Sequence, residues 1–79
     1  MIKRTTFINK LRELGYTYDD QTDRSQLWRK VGGTHEVWIK RKLDPVTDEY
    51  VRNVLRQCGL DEAPTEVFIV NNQCEHKAQ

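Results

Sequence analysis

The sequence has little cysteine and no long apolar run, and each shortage excludes a class of protein. Its two cysteines, Cys58 and Cys74, show no CxxC spacing, which favours a reducing compartment over a secreted domain stapled by disulfides. The longest apolar run covers only residues 67–70, far short of a membrane span, and the N-terminus lacks the apolar segment of a signal peptide. We therefore expect a cytoplasmic protein that does not contact a membrane.

Glycine-rich phosphate loops and metal-ligand motifs are also missing from the sequence. The Gly32-Gly33 pair lies between two strand-like runs, which indicates a turn rather than a phosphate cradle. Cys74 and His76 form a C-x-H pair in a polar tail, and two ligands at this spacing do not make a zinc site. The sequence predicts neither a metal nor a cofactor.

Positive charge is present and is concentrated in one segment. Residues 24–42 contain six basic side chains and a single acid, Glu36, so this segment carries +5 while the whole chain carries +1 and the rest therefore −4. Clustered lysine and arginine are typical of a surface that binds phosphate, although a solvated strand pair can have the same composition. The six basic residues are Arg24, Arg29, Lys30, Lys40, Arg41 and Lys42.

The first third of the chain predicts a helix followed by a short strand. Apolar residues recur at helical spacing over residues 5–14, with Thr5 or Thr6 as the N-cap and Gly15 at the left-handed position that ends a helix. Residues 16–18 alternate as a short strand does, and a polar loop then leads to the basic segment. Two further strand-like runs, close to residues 25–31 and 35–41, flank the glycine pair and predict a β-hairpin.

The length of the hairpin turn decides which side chains are buried. A two-residue turn pairs Leu27 with Trp38 and Trp28 with Val37. A three-residue turn instead places Leu27, Val37 and Ile39 on one buried face and exposes both tryptophans. We favour the second register because it separates aliphatic from charged residues. It would expose the tryptophans beside Gln26, Lys30 and Lys40.

The last part of the chain predicts two helices. The first begins at or soon after Pro45 with Thr47 as its N-cap, and Gly59 followed by a leucine indicates a Schellman ending. Residues 64–72 are compatible with a strand or a helix, and we favour a helix because Pro64 suits the first helical position.

The order of these elements defines an α+β class. An α-β-β-β-α chain with one further helix usually folds as a three-stranded antiparallel sheet with helices packed on one face, which leaves the other face free for a partner. A length of 79 residues allows one domain, which we place at residues 1–72, followed by a frayed tail at 73–79.

Few residues are candidates for chemistry. His35 has the intrinsic pKa of a general acid or base, and Ser25 could act as a nucleophile only if an activating base such as His35 lay beside it across the hairpin. Trp28 and Trp38 could stack on RNA bases, unless they belong to the core. The carboxylates are scattered and form no convincing acid–base pair.

Three segments of roughly residues 4–60 carry a resemblance to a known family. A helix ends in Leu14-Gly15-Tyr16, a strand contains Arg24-Ser25-Gln26-Leu27-Trp28-Arg29-Lys30, and a second helix contains Val51-Arg52-Asn53-Val54-Leu55-Arg56-Gln57-Cys58-Gly59-Leu60. This layout resembles the HicA family, also called YcfA-like. The resemblance implies a double-stranded-RNA-binding-like fold, metal-free mRNA cleavage and a HicB-like antitoxin protein as partner.

The resemblance also points to a missing catalytic group. Cleavage in that family depends on a histidine in a Gly-Ser-His-like motif that opens the second strand. In this sequence Ser25 or Gln26 occupies that place, neither titrates near neutral pH, and His35 is the only substitute nearby. The RNA-binding residues that we predict are Arg24, Trp28, Lys30, Trp38, Lys40, Arg41 and Lys42.

Three functional hypotheses follow from the sequence. The first is an RNA-binding domain of HicA type with weak or absent mRNA cleavage. The second is an active toxin ribonuclease that uses His35 or another route. The third is a protein-interaction module that keeps the fold and binds a HicB-like partner without contacting RNA.

Overall fold

A computed structural model describes residues 1–74 and contains three helices and three strands. This order confirms the predicted α+β class, and the strands form one antiparallel sheet in the order β1-β2-β3. The predicted tail falls partly on residues 75–79, which lie outside the described residues. The elements are α1 (Arg4–Glu13), β1 (Tyr16–Gln21), β2 (Ser25–Lys30), β3 (Glu36–Lys40), α2 (Asp48–Gln57) and α3 (Glu62–Asn71).

Helix α1 begins one residue earlier than predicted. Its N-cap is Lys3, which makes no side-chain capping bond, so the prediction of a threonine cap at Thr5 or Thr6 is wrong. The first-turn N–H of Arg4 instead donates to Oδ1 of Asp44 at 3.0 Å, a carboxylate supplied by the loop before α2. A cap from a distant part of the chain leaves no local sequence signal.

Helix α2 has the predicted caps. Thr47 Oγ1 accepts from the N–H of Tyr50 at 3.2 Å. Gly59 adopts a φ of 85°, and the N–H of Leu60 donates to the carbonyl of Leu55 at 3.0 Å, which is the long bond of a Schellman motif. These bonds fix both ends of the helix that carries the family-like signature.

Helix α3 resolves the ambiguity at residues 64–72 in favour of the predicted helix. Its N-cap is Asp61, so Pro64 occupies the third helical position, where a missing N–H is also harmless. Arg52 and Glu66 link α2 to α3 through two hydrogen bonds of 2.6 and 3.0 Å. The hydrogen bonds from Arg52 lower the pKa of the Glu66 carboxyl.

Strand β1 is longer than the sequence predicted, because residues 19–21 belong to the strand rather than to a loop. The pairing with β2 is irregular between Tyr18 and Asp20, which marks a bulge. Every residue of β1 except Tyr16 is exposed. An edge strand exposed on both faces needs no alternation of apolar and polar residues, so its sequence looks like a loop.

The hairpin adopts the register that we did not favour. Leu27 pairs with Trp38 and Trp28 with Val37, as a two-residue turn would place them. The N–H of Lys30 donates to the carbonyl of residue 35, so the connecting loop has an even number of residues, 31–34. This register buries the large indole of Trp28 beside aliphatic neighbours, which removes more apolar surface from water than Leu27 would.

The core lies between the sheet and the helices. Trp28, Val37 and Ile39 face this core, whereas Leu27 is buried on the opposite face of the sheet and lies outside the core cluster. Ile2 bridges to Val46 and to Gln73, so the folded chain extends beyond the boundary predicted at residue 72. The core residues are Ile2, Phe7, Ile8, Leu11, Tyr16, Trp28, Val37, Ile39, Val46, Val51, Val54, Leu55 and Ile69.

None of the helices in residues 1–74 combines the length and the apolar character that a membrane span requires.

Tyr16 brings a hydroxyl into this core. Its ring is fully buried, and the hydroxyl oxygen has no hydrogen-bond partner of normal geometry. Burial, together with a smaller contribution from the neighbouring thiol of Cys58, raises the pKa of Tyr16 to about 12. The neutral hydroxyl is therefore strongly preferred in the folded state.

We predict that Tyr16→Phe changes how stability depends on pH. Tyr16 ionises at about 12 when folded and near its ordinary value of about 10 when unfolded. Its ionisation therefore does not affect stability below pH 10, and it lowers the free energy of unfolding progressively as the pH rises towards 12. At neutral pH the variant should unfold with nearly wild-type free energy, because no partner of the hydroxyl is left unsatisfied. Above pH 10 it should become more stable than the wild type, as measured by urea unfolding.

Tyr18→Phe is the matched control, because Tyr18 is about half exposed on β1. The stability difference between wild type and Tyr16→Phe should vary with pH more strongly than the difference between wild type and Tyr18→Phe. Two differences with the same pH dependence would contradict the prediction.

Candidate nucleic-acid interface

The basic segment forms an open cleft at one end of the hairpin. Ser25 opens β2 and pairs with Lys40, the last residue of β3, so the residues just outside both strands come together. The resulting space has a volume of about 480 Å³. We call it the basic cleft, and it is lined by Asp23, Arg24, Ser25, Lys40, Lys42 and Leu43.

A tight loop positions the cleft residues that precede β2. Thr22 Oγ1 accepts from the N–H groups of Arg24 and Ser25 at 3.3 and 3.1 Å. The guanidinium of Arg41 donates to the carbonyls of Thr22 and Asp23 at 3.1 and 3.5 Å. Arg41 was predicted to contact RNA, and in the structure its guanidinium holds the loop against β3.

Arg4 supports the cleft from the helix side. Its Nη1 donates to the carbonyls of Lys40 and Leu43 at 2.7 and 3.2 Å, and its Nη2 donates to Oε1 of Gln26 at 2.9 Å. Sequence reasoning missed this residue. The signal that could have found it is its position, because a basic residue in the first turn of a helix is unfavourable for the helix dipole and needs another role.

Gln26 is one of the two residues at which the resemblance described above would place a histidine, and its carboxamide oxygen accepts a hydrogen bond from Arg4. Ser25, the other, lines the basic cleft. The structure therefore places both residues at the cleft end of the hairpin. Neither has an imidazole beside it in the cleft, since none of the cleft residues is a histidine.

His35 lies at the opposite end of the hairpin. It is next to the turn, across from Lys30, whereas Ser25 pairs with Lys40. Five residues along a strand separate the two positions by about 17 Å. The idea that His35 activates Ser25 is therefore wrong, and Lys30, at the same far end of β2, does not reach the basic cleft either.

Arg29 is neutralised in the middle of the sheet. Its Nε and Nη2 both lie 3.1 Å from Oδ2 of Asp19, and its Nη1 lies 2.9 Å from Oε1 of Glu36. It thus links the strands on either side of β2. The positive charge without such partners is consequently concentrated at the cleft end.

The two tryptophans have opposite environments. Trp28 is only 3% exposed and packs edge-on against Tyr18, with the guanidinium of Arg12 5.4 Å from its ring centre. The prediction that Trp28 is exposed and contacts RNA is therefore wrong. Trp38 is 49% exposed and lies on the sheet face away from the core.

Within residues 1–74 no three histidine, cysteine, aspartate or glutamate side chains are grouped so that they could hold a metal ion. The C-x-H pair of the sequence includes His76, which lies outside the described residues.

Comparisons with protein-family models, with curated proteins and with solved structures found no significant match to this chain. Its function is therefore inferred from the residues and the geometry described above.

Proposed function

We propose that this protein is an RNA-binding domain of HicA type that holds RNA phosphates in the basic cleft and cleaves mRNA weakly or not at all. The observation that carries the proposal is the convergence of three unpaired cations. Among residues 1–74 no hydrogen bond or ion pair engages the side chains of Arg24, Lys40 or Lys42, whereas Arg29 and Arg41 have partners. Clustered unpaired cations attract a polyanion because binding releases its counterions.

The geometry supports phosphate binding better than cleavage. Metal-free RNA cleavage requires a group that takes or gives a proton close to neutral pH. Ser25 and Gln26 are not such groups, and His35 lies at the far end of the hairpin. The cleft can therefore hold a phosphate, but it has no imidazole to act on the neighbouring 2′-hydroxyl.

We expect Lys40→Ala with Lys42→Ala to weaken RNA binding and to reduce its dependence on salt. Each lost contact with a single-strand phosphate should lower the slope of log K against log salt by about 0.7, so the pair should lower it by about 1.4. Fluorescence anisotropy of a labelled RNA over a salt series measures both quantities.

A matched control removes two positive charges elsewhere. Lys30→Ala with Arg56→Ala changes one lysine at the far end of β2 and one exposed arginine on α2. This control should leave the slope near the wild-type value. Equal effects of both pairs of substitutions would show that net charge, and not the basic cleft, determines binding. Wild-type affinity that does not depend on salt concentration would refute the proposal.

Purified protein is expected to be a poor ribonuclease, and His35→Ala should not change any residual activity. The reason is the distance of about 17 Å along the hairpin between His35 and the cleft end. Time courses with an unstructured mRNA, with His35→Ala prepared in parallel, provide the measurement. Rapid cleavage that disappears in His35→Ala would favour the active-toxin hypothesis instead.

A second candidate function is a protein-interaction module that binds a HicB-like partner. The observation that favours it is on α3, where Val67 and Val70 are 58% and 71% exposed and lie one helical turn apart. Adjacent exposed valines on a helix are typical of a surface that a partner covers.

If a protein covers α3, Val67→Lys with Val70→Lys should abolish its copurification from the native cell and leave the fold unchanged by circular dichroism. Lys40→Ala with Lys42→Ala should leave that copurification intact. If RNA is recovered with the protein, and is lost only in the variant with Lys40→Ala and Lys42→Ala, the result would favour the RNA-binding proposal.

A further inference from the structure

The sheet face away from the core, here called the outer face, presents one large aromatic side chain. Residues 36, 38 and 40 of β3 are exposed and alternate with the buried residues 37 and 39. The side chain of Trp38 therefore projects from the outer face with about half of its surface in solvent. A regular strand, and not a mobile loop, fixes its position.

A buried leucine lies next to this indole on the neighbouring strand. Leu27 lies directly opposite Trp38 in the register and is only 7% exposed, although it does not belong to the core cluster. Side chains of directly opposite residues on one sheet face contact each other. The register thus places Leu27 beside the indole, about half of whose surface stays accessible.

The charges around Trp38 are asymmetric. On the side of the turn, Glu36 is paired with Arg29, so this region is close to neutral. On the other side lies Lys40, two residues along the same strand and about 7 Å away, with an ammonium that has no partner among residues 1–74. An aromatic surface therefore adjoins the basic cleft along one strand.

Among residues 1–74, the outer face presents no continuous apolar patch of the kind that a protein partner would cover. Apart from Leu27 and Trp38, it carries polar or charged residues, and three of these form ion pairs. Protein-docking surfaces are typically contiguous apolar areas of several hundred Å². A single supported indole beside free cations fits a nucleic-acid base and its phosphate better.

We propose that Trp38 stacks on one unpaired base while Lys40 and the basic cleft hold the adjacent phosphates, so that the protein selects single-stranded over double-stranded RNA. This inference rests on the proposed RNA-binding function. In a duplex both faces of each base are covered by its neighbours, so only a splayed, unpaired base can lie on an aromatic side chain. The cations alone would not distinguish single strands from duplexes in this way.

The two tryptophans make the test direct, because one is buried and the other exposed. Wild-type protein and Trp38→Phe are titrated with a short oligouridine and, separately, with a short RNA duplex at the same salt concentration. Tryptophan emission reports stacking, and anisotropy of labelled RNA reports affinity independently. Comparing these two proteins isolates the emission of Trp38 without altering the core. If circular dichroism shows that Trp28→Phe is folded, this variant repeats the measurement with Trp38 as the sole emitter.

We expect oligouridine to quench wild-type emission and to leave Trp38→Phe unquenched. Trp38→Ala, titrated in the same way, removes the ring altogether, so the loss of one stacked base should weaken its oligouridine binding roughly 5- to 150-fold, which corresponds to about 1–3 kcal/mol. Trp38→Phe should lose less affinity, because its smaller ring can still stack. Duplex affinity should be lower than oligouridine affinity in the wild type and should not change in Trp38→Phe. The salt slope should be similar in both proteins, since the phosphate contacts are retained.

The possible failures are distinguishable. Salt-dependent oligouridine binding that causes no quenching, with equal affinity in wild type and Trp38→Ala, overturns stacking and leaves the proposed function standing. The same result is expected if Trp38 instead contacts a protein partner. If the duplex and oligouridine bind the wild type with equal affinity, and substitution of Trp38 weakens both equally, the proposal of single-strand selectivity is wrong. No binding of either RNA overturns the proposed function itself.

Discussion

The burial of Trp28 is the constraint on which the rest of the sheet depends. Its indole packs between Tyr18 on the edge strand and Arg12 on α1, so it joins three elements at one point of the core. A strand has a period of two, so placing this residue inside determines the orientation of every other residue of β2 and β3. Trp38 is consequently turned outwards, and Val37 and Ile39 are turned inwards. The surface proposed to bind RNA is thus a consequence of how the core is filled.

The basic side chains described above include two groups with different tasks. Arg4, Arg29 and Arg41 use their planar guanidinium groups to bond carbonyls or carboxylates on neighbouring elements, as arginine does well because its donors form a rigid fork. Arg24, Lys40 and Lys42 have no such partners among residues 1–74. Net charge counted along the sequence does not distinguish these tasks. Only the unpaired group is available to an incoming anion.

Local signals in the sequence were sufficient for most of the fold. Thr47 and Gly59 mark the ends of α2, and the class and order of the elements follow from periodicity together with glycine, proline and capping residues. The errors concern information that is not local. The parity of the hairpin loop decided whether Trp28 or Leu27 entered the core, and the cap of α1 came from Asp44, forty residues away. The cleft end of the hairpin was predictable as basic, but the separation of His35 from Ser25 depended on strand pairing.

The backbone of Lys40 is held from two directions, since its carbonyl accepts from Arg4 and its N–H donates to the hydroxyl of Tyr50 at 3.1 Å. Two helices therefore anchor the strand end that forms one wall of the cleft. A ligand that binds there has no backbone to order, and the entropy lost by the protein is confined to long side chains, at roughly 0.5–1.5 kcal/mol for each one immobilised. If the cleft binds RNA as proposed, it can exchange one phosphate for the next at little cost in free energy, and the protein can sample many positions along a flexible strand.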